Sequence, residues 1–313
     1  MDLSMISDIL SSMIRVATPV ILMALGGLMC QRAGVFNIAL EGFSLIGAFA
    51  GVAFVQLSGG SVYIGFLGAM VCGMLFSAIF ALFVTKFKAN HIIASIAMNM
   101  LGLGLTSYLL RALFDVQGRL APDVINKLQP INIPLLKDIP ILNCLSGQSI
   151  ITYVTIAMVI LVYVILFKTK TGLSICAVGE SENAATTAGI KPNAVRWKVI
   201  LVSGALCGLA GAYLSTVIVS QFSENMVAGR GFTAFTAFAF GGAHPVWTSL
   251  VGLLFGIAEA ICIRFELAGI ALSPSIIKMF PYVLAIVALT VSSYTGMLKT
   301  KGVIGRKSKG RLK

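Results

Sequence analysis

Charge is scarce in this sequence. Of 313 residues only 11% are charged while 58% are hydrophobic, too little polar material to cover a soluble globule. Acidic side chains are the rarest of the charged set, 11 against 23 Lys and Arg. No Gly-x4-Gly-Lys-Ser/Thr stretch occurs, so the chain lacks the usual loop for cradling nucleotide phosphates. Its six cysteines (Cys30, Cys72, Cys144, Cys176, Cys207 and Cys262) stand singly, without CxxC or metal-ligand spacing, and read as small hydrophobes. The two histidines, His91 and His244, have no nucleophile, base or metal set beside them in an evident pattern, which argues against an intramembrane enzyme. The opening "MDLSMISDIL" carries Asp2 and Asp8 where a secretory signal carries positive charge, and no cleaved signal is expected.

What the chain has in abundance is long apolar runs. Stretches of about 17 to 25 residues, each able to cross roughly 30 Å of hydrocarbon as a helix, recur along nearly its whole length. Crossings are expected at Ile14–Cys30, Val35–Leu57, Val62–Thr85, His91–Phe114, Ile150–Phe167, Val199–Val219, Val246–Ile263 and Ile276–Val291. A shorter piece, "GRGFTAFTAFAFGG" at 229–242, spans poorly and reads as partly re-entrant. The expected fold is an all-α, polytopic transmembrane helical bundle of about nine membrane segments. Residues 1–298 form the membrane domain and 299–313 a basic tail.

The net charge of +12 is explained by topology rather than by nucleic acid. If the gap holding Lys168, Lys170, Lys191, Arg196 and Lys198 is cytoplasmic, alternation puts Arg32, Lys86, Lys88 and the tail "KTKGVIGRKSKGRLK" on the same side, most of the 23 basic residues. The positive-inside bias favours that orientation, with a cytoplasmic C-terminus. The tail, basic and without acids, is also expected to touch anionic lipid. The outer gap 115–149 carries four prolines among apolar pairs such as Leu135-Leu136 and is expected to lie partly on the membrane face.

Three features call for a function. In the inner loop 168–198, "GESENAATTAGI" sets small residues after Glu180 and Glu182, and Lys191-Pro192 stops the run. It reads as a short surface helix with an acidic start and a Gly close, either a docking element or an ordinary solvated linker. Second, Asn37, Glu41, Ser44, Ala48 and Gly51 step by helical spacing into one polar, small-residue stripe that must face the bundle interior. A carboxylate at mid-membrane costs roughly 3 kcal/mol, so Glu41 must pair, meet water or sit near an end; about 13 Å of helix from Arg32 would put it below the surface. Third, His91, Ser95, Asn99, Gly102 and Thr106 form a second stripe, with Asn99 the candidate lining residue because its amide both donates and accepts. Glu259, on a face shared with Gly252 and Gly256, is expected to pair structurally. Phe232, Phe235 and Phe238 read as core or lipid-facing rather than as a base-stacking platform.

Together with "LGGLMCQRAGVFNIALEGFSLIGAF" (25–49) and "GRGFTAFTAFAFGGAHPVWTSLVGLLFGIAEA" (229–260), the inner loop resembles the membrane subunits of bacterial ABC importers, in the branch containing ribose, galactose and branched-chain amino acid permeases. The pattern at Arg32, Gly34, Val35, Asn37, Ile38, Leu40, Glu41 and Gly42 is similar to that of nucleoside and simple-sugar permeases, and the resemblance runs from about Thr18 to Val291. It implies a non-enzymatic permease in the bacterial cytoplasmic membrane, without a cofactor of its own, ATP and Mg being used by a partner ATPase. A second permease subunit, in an expected heterodimer, and an extracytoplasmic substrate-binding lipoprotein would complete the assembly. The loop then becomes the helix that couples to the ATPase, carried by Gly179, Glu182, Ala184, Ala185, Gly189 and Ile190. A Glu-Ala-Ala-x-x-x-Gly form would need Glu at 183, whereas this chain has Asn183 and Glu182.

Two readings of Glu41 stay open. With Asn37 it borders the translocation path or its inner gate, or it ties helices together; the tie is preferred, since an importer fed by a binding protein needs only weak contacts in its channel. A secondary, ion-coupled transporter is the alternative function, disfavoured because deep ionisable residues are few and such a protein has no use for a docking loop.

Overall fold

The computed structural model describes residues 3–126, 128–131 and 146–267. The chain divides into two compact units, Met1–Ala260 and Ile261–Lys313; the first carries the architecture below, and of the second only the end of one helix lies among the described residues. Ten α-helices follow in order: α1 Leu3–Arg32, α2 Leu40–Leu57, α3 Val62–Thr85, α4 His91–Phe114, α5 Ile150–Lys168, α6 Lys170–Glu180, α7 Glu182–Thr187, α8 Pro192–Ala212, α9 Arg230–Phe240 and α10 Pro245–Leu267. A π-helical turn, Tyr213–Ile218, extends α8. Strands β1 Arg119–Leu120 and β2 Phe222–Ser223 pair antiparallel.

Seven of these helices are long and apolar enough to cross a membrane, α8 counted with its π-turn. The eleven-residue α9 is about 16 Å long and falls short of a span. The crossing expected at Ile276–Val291, the basic tail, the boundary at 298 and Leu135-Leu136 lie outside the described residues.

Burial sorts the helices. α1, α2 and α8 are enclosed along most of their length, whereas α3, α4 and α5 keep open apolar faces. On α3, Leu67, Val71, Leu75 and Ile79 recur every four residues and are all exposed, one stripe turned toward lipid. Lipid is as apolar as leucine, so helix association rests on close packing rather than on the hydrophobic effect. Glycine provides it at the centre, where Gly47 of α2 faces Gly208 of α8, and Gly73 of α3 faces Gly204 and Gly208, with no room for a Cβ between the backbones. Gly252 and Gly256 of α10 likewise sit against Ile21, Ala17 and Met13 of α1. α1 continues through Pro19, and the Thr18 hydroxyl donates to the Ile14 carbonyl at 2.7 Å.

After the π-turn the chain reaches β2, and an apolar cluster of Leu45, Phe49, Leu120, Leu214, Phe222 and Val227 packs it against α2. Phe49 meets Phe222 edge-on at 5.4 Å. The chain then turns into α9.

Candidate functional site

Between α1 and α2 the backbone leaves the helix. Gly34 at φ +74 closes α1 with paired bonds, Gly34 N–H to the Gln31 carbonyl at 3.1 Å and Val35 N–H to the Cys30 carbonyl at 2.9 Å. The Asn37 side-chain oxygen then accepts from Ala39 N–H at 2.9 Å and turns the chain into α2. The expected helix from Val35 therefore begins only at Leu40. Asn37 is not on the stripe of Glu41, Ser44, Ala48 and Gly51, and a depth for Glu41 counted as continuous helix from Arg32 does not hold. Local turn chemistry at Gly34 and Asn37 overrides the apolar run.

Unwound backbone inside a membrane protein must find partners for its N–H and C=O groups. Here the polar stripe of α4 supplies them. His91 Nδ1 accepts from Phe36 N–H at 3.3 Å and Ser95 Oγ from Ile38 N–H at 3.1 Å. Asn99 closes the ladder in both directions, donating to the Ile38 carbonyl at 3.1 Å and accepting from Gly42 N–H at 2.8 Å. The spacings match: four helical residues rise about 6 Å and two extended residues about 6.6 Å. Asn37 anchors the other side, its amide donating to Ser203 Oγ of α8 at 3.3 Å. Ser95 and Asn99, singled out as interior polar residues, thus hold backbone.

Glu41, in the first turn of α2, reaches the start of α9. Its two carboxylate oxygens accept from Gly229 N–H at 2.8 Å and Gly231 N–H at 2.6 Å. These are amides that a helix leaves without internal partners, at its electropositive end. Gly229 has φ +87, and a Cβ at Gly231 would come within 2.6 Å of the Glu41 carboxylate. Beside this contact Arg230 forms an ion pair with Glu259 of α10 and donates to the Met226 and Val227 carbonyls at 3.3 Å. Two carboxylates and one guanidinium, each partly accessible, therefore surround the head of α9. Phe235 meets Phe36 edge-on at 5.2 Å, Phe238 is buried, and Phe232 is exposed.

The far end of α9 returns to the same connection. Arg32 donates through Nε to the Ala243 carbonyl at 2.8 Å and lies 5.6 Å over the Phe167 ring. His244 packs against Tyr163 and Phe167, which also touch each other.

The inner loop folds as two helices rather than one. α6 was not foreseen; α7 covers the expected short helix. Ser181 Oγ accepts from Ala184 N–H at 3.3 Å at its start. Gly189, at φ +80, and Ile190 donate to the Thr186 and Ala185 carbonyls at 2.9 and 3.0 Å at its end. Only Ala185 is buried; Glu182, Ala184 and Gly189 face out and Ile190 is half-buried. Gly179 closes α6 directly against the Arg32 carbonyl and Gly34 N–H, leaving no space for a Cβ. Arg196 of α8 pairs with Glu182 at 3.0 Å and donates to the Ala33 carbonyl at 3.5 Å. The carboxylate one place early is thus engaged within the chain.

Residues 32–42 therefore touch the loop helices, α4, α8 and both ends of α9. Arg196, Arg230, Gly229 and Gly231 were not among the expected site residues. The Gly-Arg-Gly at the head of an apolar helix, with an arginine and no neighbouring acid, was the available signal.

The sequence profile described as branched-chain amino acid transport system / permease component matches residues 9–289. The chain belongs to this permease family. Among its relatives, the nucleoside ABC transporter permease protein NupC of Lactococcus lactis subsp. cremoris is 32% identical over 292 residues, covering 90% of this chain and 91% of the relative. The guanosine ABC transporter permease protein NupQ of Bacillus subtilis is 36% identical over 284 residues, 88% of each chain. A glucose ABC transporter permease protein of Haloferax volcanii is 32% identical over 255 residues, 77% of this chain and 66% of the relative. No solved structure gives a significant match. As a permease of this family with seven candidate membrane-crossing helices among its described residues, the chain is a multi-pass membrane protein.

Proposed function

We propose that this chain is the membrane-spanning subunit of an ABC importer for a nucleoside or simple sugar, driven by a separate ATPase that docks on α7. The observation carrying the coupling half of this reading is the chain of contacts from α7 through Glu182, Arg196 and Ala33 to the unwound segment. That segment is bonded in turn to α4 through Phe36 and Ile38, and the first turn of α2 that follows it reaches α9 through Glu41. A push on α7 has a physical route to the helix ends that surround the membrane interior. The coupling surface is α7 with Gly179, Gly189 and Ile190, on the cytoplasmic side. Asn37, Glu41, Ser95 and Asn99 hold the broken elements in place, while the accessible edges of Glu41 and Glu259 border the path.

The solute class rests on the nucleoside, guanosine and glucose permeases among the relatives. The partners in this reading are the ATPase, a second permease subunit and an extracytoplasmic binding lipoprotein. The test is uptake into vesicles carrying the chain with its co-purifying subunits. Labelled nucleoside or sugar should accumulate only when ATP is supplied on the α7 side. Accumulation driven by an ion gradient without ATP would overturn the reading in favour of a secondary transporter.

A further inference from the structure

Beside the loop helices lies a groove of about 330 Å³ that the coupling route does not use, lined by Met29 of α1, Ile165 of α5, Thr171, Ser174 and Ile175 of α6, and Val195, Lys198, Val199 and Val202 of α8. Its depth in the membrane follows from its neighbours. Met29 sits one turn before Arg32, Ile165 one turn before Lys168, and the α8 residues follow Lys191-Pro192, so the groove lies where three helices meet the basic surface. Its floor is aliphatic, with Met29, Ile175 and Val199 buried. Its outer wall runs on into exposed apolar surface at Val202 and at Leu161, one turn before Ile165 in α5. Its polar lining residues are Thr171, Ser174 and Lys198, of which Thr171 and Lys198 are exposed, and none of its lining is acidic. The Ser174 hydroxyl donates to the Lys170 carbonyl at 3.0 Å and the Thr171 hydroxyl is bonded to that of Thr169 at 2.7 Å, which leaves the Lys198 ammonium as the free donor of the lining. Lys168 and Lys170 precede Thr171 in the chain, and α6 presents exposed Leu173, as an interfacial helix does.

An apolar groove that continues into exposed aliphatic surface and carries one exposed ammonium with no lining acid matches an acyl chain joined to a phosphate. We propose that this groove is a binding site for one anionic phospholipid, its acyl chain against Met29, Ile165, Ile175 and Val202 and its phosphate at Lys198. A zwitterionic lipid fits the same groove but gains less there, because its headgroup also brings a positive charge to Lys198. The site sits against α6 and the first turns of α8, so an occupied groove braces the loop on its membrane side.

Native mass spectrometry of the full chain in detergent, titrated with phosphatidylglycerol or phosphatidylcholine, reads the site directly. The tightest-held lipid should be phosphatidylglycerol. Lys198→Ala should raise its half-saturating concentration about fivefold, the equivalent of the about 1 kcal/mol that one lysine contributes at an anionic surface, and raise that of phosphatidylcholine by less. Lys198→Arg should retain the preference. Val202→Trp, at a position already exposed, should fill the groove and remove that one lipid while leaving more weakly held lipids in place. Equal affinity for the two lipids, or indifference to Lys198→Ala, would overturn the proposal. So would displacement by millimolar inorganic phosphate, which would mark a free-anion site, or loss of the lipid when an ATPase subunit docks, which would assign the groove to protein packing.

Discussion

Glu41 accepts two backbone hydrogen bonds at the head of α9, and that double acceptance decides how substitutions behave there. Glutamine preserves size but turns one of the two acceptors into a donor, so one of the Gly229 and Gly231 amides loses its partner and faces an N–H₂ instead. A buried group left unsatisfied costs about 1–3 kcal/mol, more where the lost bond was to a charge. Glu41→Gln is therefore expected to lower thermal stability in detergent and to loosen the start of α9, and Glu41→Leu to do both more severely. A cysteine placed at Thr233, in the first turn of α9, reports the loosening as faster labelling by a polar maleimide. Wild-type melting and wild-type labelling in the Gln variant would show that the carboxylate does not hold the helix. Arg230 and Glu259 form a second tie at the head of α9, so α9 should be loosened rather than lost.

At the scale of elements, α4 works as a rack for unwound chain, one polar side chain per turn against every second residue of 36–38 and then Gly42. Asn99→Leu keeps the volume and removes both the donor to the Ile38 carbonyl and the acceptor for Gly42 N–H. Two backbone groups orphaned inside a membrane protein should cost about 2–5 kcal/mol, seen as lower yield and melting temperature of the purified chain. Thr106→Val, on the same stripe, removes only a hydroxyl that doubles up on the Gly102 and Leu103 carbonyls of its own helix, and should cost less than about 1 kcal/mol. Equal effects of the two substitutions would contradict the ladder. The same stretch marks how far the sequence could be read. Hydropathy located the long helices because lipid demands long apolar runs, and the periodicity of His91, Ser95 and Asn99 exposed a polar face. It could not tell a face turned to water from one turned to backbone, because both require the same side chains at the same spacing. Nor could it see the break at 33–39, where Gly34 and Asn37 act through turn geometry within an unbroken apolar run. The Gly close of α7 was legible because Gly189 stands where a helix end needs a positive φ. α6 was not, since Lys170–Glu180 is eleven residues long and its buried Ile175 and Val178 are too short a stripe to stand out within a polar loop.

Across the whole molecule, the side-chain link from the loop to the unwound chain is Arg196, which holds Glu182 of α7 on one side and the Ala33 carbonyl on the other, beside the backbone contact of Gly179. As a stabilising pair this contact is minor, because the Glu182 side chain is 53% exposed and an ion pair so open to solvent contributes about 0–1 kcal/mol. Its weight, if the route from α7 to the broken segment transmits force, lies in transport. Arg196→Glu should leave expression, membrane insertion and melting temperature within a degree or two of wild type, while ATP hydrolysis by the docked ATPase continues and solute uptake falls at least tenfold. Reversing both charges, Arg196→Glu with Glu182→Arg, restores the attraction across α7 and α8 but not the guanidinium at Ala33. Uptake in the double variant therefore measures what the pair alone transmits. Recovery to near wild type would make the ion pair the link, and recovery to an intermediate level would divide the role between Glu182 and the Ala33 carbonyl. Uptake undiminished in the single Arg196→Glu variant would remove Arg196 from the route and leave Gly179, seated on the Arg32 carbonyl and Gly34, as the remaining direct contact between the loop and the unwound chain.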